Sequence, residues 1–521
     1  MKSISFKKQH FLLVSIVVLC LIFESCNKDE LLNKSPITSL NSTNALVTEA
    51  DYTALTSACY DPIQWQVING AQTHILPVMF QDIRADNCLS QWASYWTYGA
   101  VFDDLRLIES NNTNIAALWQ KWFTAVARAN AAMHSDSSFK GFVTDGLQAR
   151  LIAEAKFVRA FAYFQLVISF GDVPLITSYI STTSTNVIYP RTPAAAVYAQ
   201  IENDLLAAAK VLPKSYSGAD VGRATSGGAY ALLAKASLYQ KKYADTRKYC
   251  EMVMSSGKYS LVPNFADNFS QDHEYNSEAI FQIGYISGIF NKPFESAEAT
   301  QNQGSASYQM FGCIPAGTGG FGNCVPRQGL IDLYNNTDTR KDATFIVPTT
   351  YLNDLGMTAY DAGTQYYHYY WTNPDALISQ ASVRKFYIPK STALSLTNLG
   401  SDGLNENILR YSDVLLMHAE ASAMGAGGDG LSSLNEVIQR AYGGNPSHNL
   451  TSFTLADVKL QRRLELATEG WDRFTDLVRW GDAATALAFK HFKVGRDEVL
   501  PIPQGEIDLV GAGILTQNPG Y

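Results

Sequence analysis

The segment 146–170 constrains the fold more than any other part of this chain. Leu151, Ala155, Val158, Ala162 and Leu166 recur at helical spacing, which predicts one long helix with Glu154 and Lys156 turned to water. Gly171 and Pro174 follow as stop signals. The same period appears over 118–133, where Trp119, Trp122, Phe123 and Val126 line one face. Thr192 and Pro193 open a further helix that runs to Leu212. Segments 226–240 and 243–256 form a helix pair with a short loop. In the first of them Gly227, Ala231 and Ala234 make a small-residue face, where a second helix could approach closely. Helical patterns return at 408–424, 430–442 and 454–480.

The expected fold class is therefore all-α. Antiparallel helix pairs of this size resemble tetratricopeptide repeats, although no strict repeat period is present. Segment 259–407 breaks the pattern. It is rich in Gly, Asn, Ser, Thr and Tyr, with short strands expected at 279–286 and 383–388. It reads as an irregular insertion on a scaffold formed by 46–258 and 408–521. Loops held by a rigid scaffold are where binding usually sits.

The N-terminus carries Lys2, Lys7 and Lys8, then an apolar run over 11–23, then Ser25-Cys26. The run is shorter than the ~20 residues of a spanning helix, and the order describes a secretory leader. The expectation is a leader over 1–25, lipidation at Cys26, a tether over 26–45 and a domain over 46–521. The charged Lys28-Asp29-Glu30 resembles the surface-export signal of Bacteroidetes lipoproteins. A composition of 46% hydrophobic and 17% charged residues is that of a globular protein, and a net charge of −8 excludes the basic stripe of a nucleic-acid binder.

Few motifs carry chemistry. Cys59, Cys88, Cys250, Cys313 and Cys324 contain no CxxC pair. Cys313 and Cys324 bracket a Gly-rich loop, which is either closed by a disulfide or flanked by two buried thiols. Within that loop, 317–322 matches GxGxxG in form, but no strand precedes it and no helix follows, so it is not a dinucleotide site. Neither a cofactor nor a metal site is expected. Arg462, Arg463, Glu465, Glu469, Asp472, Arg473, Asp476 and Arg479 could pass for a glycosidase carboxylate cluster. Interleaved at helical spacing, they read instead as ion pairs locking neighbouring helices.

Several segments, taken together, strongly resemble the SusD/RagB family of outer-membrane nutrient-binding lipoproteins. They are residues 153–161, 170–175, 410–421, 462–470, 474–481, 500–503 and 517–521, in that order along the mature chain. The resemblance implies a scaffold of four tetratricopeptide-like units with an irregular ligand-binding portion. It also implies a protein on the outer face of the outer membrane that caps a SusC-like TonB-dependent transporter, captures glycans or peptides, and is not an enzyme.

Sugar binding needs aromatic faces for stacking and amide, carboxylate or guanidinium groups for hydroxyls. Two segments supply both. One holds Arg84, Asp86 and Asn87, then Trp92, Tyr95 and Trp96. The other, 366–373, holds Tyr369, Tyr370, Trp371 and Asn373 in a run of six ring-bearing residues that cannot all face a core. Trp96 and Trp371 are the leading candidates; Tyr308, Phe311 and Phe321 are secondary ones. The expected activity is capture of an oligo- or polysaccharide. A peptide ligand and a surface glycan hydrolase are the alternatives.

Overall fold

The structure is a computed structural model that describes residues 48–64, 67–68, 71–73, 76–90, 97–134, 143–180, 189–287, 305, 307, 311, 323–346, 381–388, 402–511 and 513–521. Its elements, in chain order, begin with helix α1 (Glu49–Ser57), strand β1 (Cys88–Ser90), α2 (Thr113–His134) and α3 (Asp145–Phe170). Next come α4 (Ala194–Val211), α5 (Ser226–Tyr239) and α6 (Tyr243–Met254). The irregular portion contributes β2 (Ala279–Ile283), β3 (Cys324–Pro326), β4 (Phe345–Ile346) and β5 (Ser382–Val383). The chain returns to the scaffold through β6 (Glu406–Arg410), α7 (Tyr411–Ala421), α8 (Gly430–Ala441), α9 (Leu455–Leu466), α10 (Arg473–Trp480) and α11 (Gln504–Val510).

The helices pack on one another in succession: α2 on α3, α3 on α4, α4 on α5, α5 on α6, then α6 on α7 and α7 on α8. This is the helical-pair scaffold that the periodicity predicts. α3 is its centre, stopped by Gly171 at φ 72°. Phe157, Phe161 and Phe164 are buried there beside the predicted stripe, so the helix is apolar nearly all round. One large core runs from Cys59 to Leu515 and joins both halves of the scaffold. The strands are short and pair antiparallel: β1 with β3, β2 with β6, β4 with β5. Among the described residues, no helix is long and apolar enough to cross a membrane.

Four expectations need correction. Glu154 does not face water. It is fully buried and accepts from Arg223 Nη1 at 3.0 Å and from the Tyr60 hydroxyl at 3.1 Å. At Gly227 the neighbour is not a helix but the Tyr259 side chain, whose hydroxyl a Cβ would meet at 2.4 Å. The segment 408–424 begins as strand β6, because Glu406–Arg410 pairs with β2 before α7 starts. Lastly, 454–480 is two helices, α9 and α10, with a break over 467–472.

That break has a clear cause. Thr468 and Gly470 adopt φ of 65° and 85°, and their amides both point at the Asp82 carboxylate, at 3.1 and 2.9 Å. A Cβ on Gly470 would lie 2.9 Å from the Val78 amide nitrogen. Gly470→Ala therefore meets both the left-handed φ and a backbone clash. It should lose about 1–3 kcal/mol of stability, read from a urea midpoint; a midpoint equal to wild type would contradict this reading of the break.

Candidate functional site

The first sequence-predicted segment starts in a rigid frame. Asp82 accepts from Asn87 Nδ2 at 2.9 Å as well as from the two amides of the 467–472 break. Burial pushes its carboxyl up to about 6, against the pull of those bonds. Asn87 Oδ1 accepts from Arg463 Nε at 3.0 Å, and Asp86 pairs with Arg473 at 2.7 Å and Arg463 at 3.0 Å. Arg84 is buried, donates to the Asp497 carbonyl at 2.7 Å and lies 3.8 Å over the Phe474 ring. Arg84 and Asn87 thus belong to the scaffold and not to a ligand face. Their polarity serves contacts to residues far along the chain. Asp86 keeps a small exposed fraction but is held between two arginines. Phe311 is likewise core, packed on Phe386 at 5.4 Å between ring centres.

Trp92, Tyr95, Trp96, Tyr308, Phe321 and all of 366–373, including Tyr369, Tyr370, Trp371 and Asn373, lie outside the described residues, as do Cys26 and Cys313. The structure does place the strands that flank them in sequence. Segment 91–96 leaves directly from β1, and 366–373 falls between β4 and β5. β1 pairs with β3, β4 pairs with β5, and β3 packs against β5. The four strands β1, β3, β4 and β5 therefore meet at one corner of the fold. That corner is stiffened by charge: Asp103 takes the Ser90 amide, Lys490 Nζ at 2.6 Å and Arg327 at 3.2 Å.

Behind the corner, each of the eight charged residues singled out in 462–479 is paired. Glu465 accepts from Arg410 at 2.9 Å and Arg340 at 3.4 Å, and also from Arg440. Glu278 bridges Arg410 and Arg440 from below, and Glu469 takes Arg410 and Lys385. A second cluster sets Arg462 against Asp413 at 2.6 Å and Asp476 at 3.0 Å, with Lys235 between Asp413 and Asp472. Arg479 joins Asp476 to Glu420. Every carboxylate here is paired with a guanidinium or ammonium group, which suits locking and not proton transfer to a substrate.

One further feature has no signal in the sequence. Two adjoining cavities of about 340 and 240 Å³ share Gly222, Arg223, Tyr275 and Gln282. Tyr275 stands exposed between them at φ 52°, its amide fixed to Gln282 Oε1 at 2.9 Å. Gly222 and Gly284 leave room for its hydroxyl, since a Cβ on either would meet it at 3.0 or 2.3 Å.

The comparisons with known proteins agree with this architecture. A profile of the SusD family matches residues 287–521, and one described as starch-binding associating with outer membrane matches residues 31–238. The chain belongs to the SusD family. A SusD-like protein of Bacteroides ovatus is 25% identical over 90% of this chain and 82% of its own. Among solved structures, a laminarin-binding SusD-like protein is 27% identical with a TM-score of 0.76, covering 91% of this chain and 100% of that one. Surface glycan-binding protein A from Bacteroides thetaiotaomicron, solved with laminarihexaose, is 26% identical with a TM-score of 0.75 and the same coverage.

Proposed function

We propose that this protein captures an oligo- or polysaccharide at the cell surface and delivers it to a SusC-like TonB-dependent transporter, without acting on it chemically. The observation that carries this reading is the fold shared with glycan-binding proteins, a laminarin-binding SusD-like protein among them. Trp92, Trp96, Tyr369, Tyr370 and Trp371 supply the ring faces, and Asn373 and Asp86 supply polar partners. The glycan-binding relatives of the same fold support the ligand class. The paired state of the carboxylates in 462–479 supports capture over hydrolysis. The N-terminal pattern supports a lipid anchor at Cys26 and a place on the outer membrane, facing outward.

The test is a retention screen of the soluble, anchor-free chain, starting at Asn27, on gels cast with different polysaccharides, laminarin first, with a peptide library alongside. Retardation by a glycan supports the reading. Retardation by none, with peptide binding in its place, replaces it with the peptide-binding alternative. Release of reducing sugar from any glycan would replace capture with hydrolysis.

A further inference from the structure

We propose that the two adjoining cavities beside Tyr275 form a second ligand site, one that takes an acidic sugar: the sugar ring stacks on Tyr275, and its carboxylate or sulfate is met by Lys214 and Lys258. The larger cavity, about 340 Å³, reaches the ~300–1,000 Å³ of small-ligand sites. Tyr275 is 40% exposed, which leaves an aromatic face for the apolar C–H side of a pyranose. The backbone holds that ring in place at a cost. A φ of 52° is unfavourable for a bulky residue, and such conformations gather at functional sites. Gln282 enforces it: its Oε1 accepts from the Tyr275 amide at 2.9 Å while its Nε2 donates to Asn407 Oδ1 at 2.8 Å. The ring sits where a side chain on Gly222 or Gly284 would exclude its hydroxyl.

Charge selects the ligand class. Lys214 and Lys258 line the smaller cavity, are exposed, and have no carboxylate partner among the described residues. Of the described residues that line either cavity, only Asp61 carries a carboxylate, and Arg128 pairs with it. The third cation on the lining, Arg223, already serves Glu154 at 3.0 Å and Asp220 at 2.6 Å. Two uncompensated ammonium groups therefore remain at this cavity, on a protein of net charge −8. An anionic ligand gains from them and a neutral one does not. Tyr216 lines the same cavity, and its hydroxyl is buried with no hydrogen-bond partner among the described residues. A ligand oxygen would accept from that O–H. This second site extends the glycan-capture reading but shares no residue with the first, so each can fail without the other.

The test is calorimetry on the anchor-free chain starting at Asn27, titrated with trigalacturonate, with sulfated laminaritriose and with sodium sulfate. At least one of the two acidic sugars should bind at least about tenfold more tightly than sodium sulfate, and its affinity should fall as NaCl is raised. The tighter of the two names the anion. Unsulfated laminaritriose should not displace it. Tyr275→Gly removes the ring and suits the left-handed φ, so it should fold, as checked by circular dichroism, and bind at least about tenfold more weakly. Lys214→Gln combined with Lys258→Gln, both at exposed positions, should weaken binding as much and flatten the salt dependence. Trp96→Ala should bind the acidic sugar as wild type does. Any of five results would overturn the proposal: no binding of either acidic sugar, equal affinity for sodium sulfate, displacement by laminaritriose, wild-type affinity in folded Tyr275→Gly or in the double lysine variant, or loss of binding in folded Trp96→Ala.

Discussion

Glu465→Ala should destabilise the protein by about 3–5 kcal/mol, enough to unfold many domains outright. Glu465 has no exposed surface, and its two oxygens answer three guanidinium groups, from Arg340, Arg410 and Arg440. Glu278 and Glu469 still partner Arg410, so that cation keeps counter-charge after the substitution. Arg440 keeps Glu278, and Arg340 keeps Asp338 at 2.7 Å. Lys385 also draws on Glu469, so the cost comes from four cations left with three anions in a space closed to water. Glu465→Gln keeps the shape and one acceptor but removes the charge, and should fall between Ala and wild type. Urea unfolding of the three proteins measures this. A midpoint for Glu465→Ala within error of wild type would show that the cluster is not what joins α9 to β6 and α8.

Stability should pass through a maximum as pH falls, then collapse below about pH 4. Two groups set the rising limb. Burial raises Glu274 to about 7 and Asp82 to about 6, so the folded state takes up their protons before the unfolded chain does. Stability gains from both until pH reaches the ordinary carboxylate range, about 4. The falling limb has the opposite sign. Lys235 and Arg462 hold Asp413 down at about 2 against desolvation, and Glu465, Glu278 and Asp476 are lowered by their arginines. These carboxylates contribute stability above the unfolded pKa and lose it as pH falls through the folded value. Thermal unfolding from pH 7 to pH 2 should show a Tm that climbs, peaks in weak acid and drops steeply below pH 4. A Tm that falls steadily from pH 7 would contradict the burial assigned to Glu274 and Asp82.

The scaffold was legible because helix periodicity is local. The stripe through Leu151 and Leu166, the Gly171 stop and the short loop between α5 and α6 are all properties of neighbouring residues. The misreadings were long-range. Glu154 looked solvated because its partner Arg223 comes from beyond α4. The start of 408–424 looked helical because β2, which makes it a strand, lies far upstream. The α9–α10 break is hidden by charges that keep helical spacing across it; only Gly470 marks it, and its reason is the remote Asp82. The polar run from Arg84 to Asn87 resembled a ligand face because buried and exposed polar residues look alike in sequence. By contrast, the ion pairs of 462–479 are legible in the sequence, since interleaved charges of both signs seek each other before they seek a substrate.

The central claim is that the rings of Trp96 and Trp371 hold a glycan. It is tested most directly by affinity electrophoresis on a retaining polysaccharide, with wild type beside Trp96→Ala and Trp371→Ala and their folding checked by circular dichroism. Stacking on one ring is worth enough that each variant should bind at least about tenfold more weakly, a loss of ~1.4 kcal/mol or more. Folded variants that migrate as wild type does on the same gel would contradict the claim and send the search to the cavities beside Tyr275.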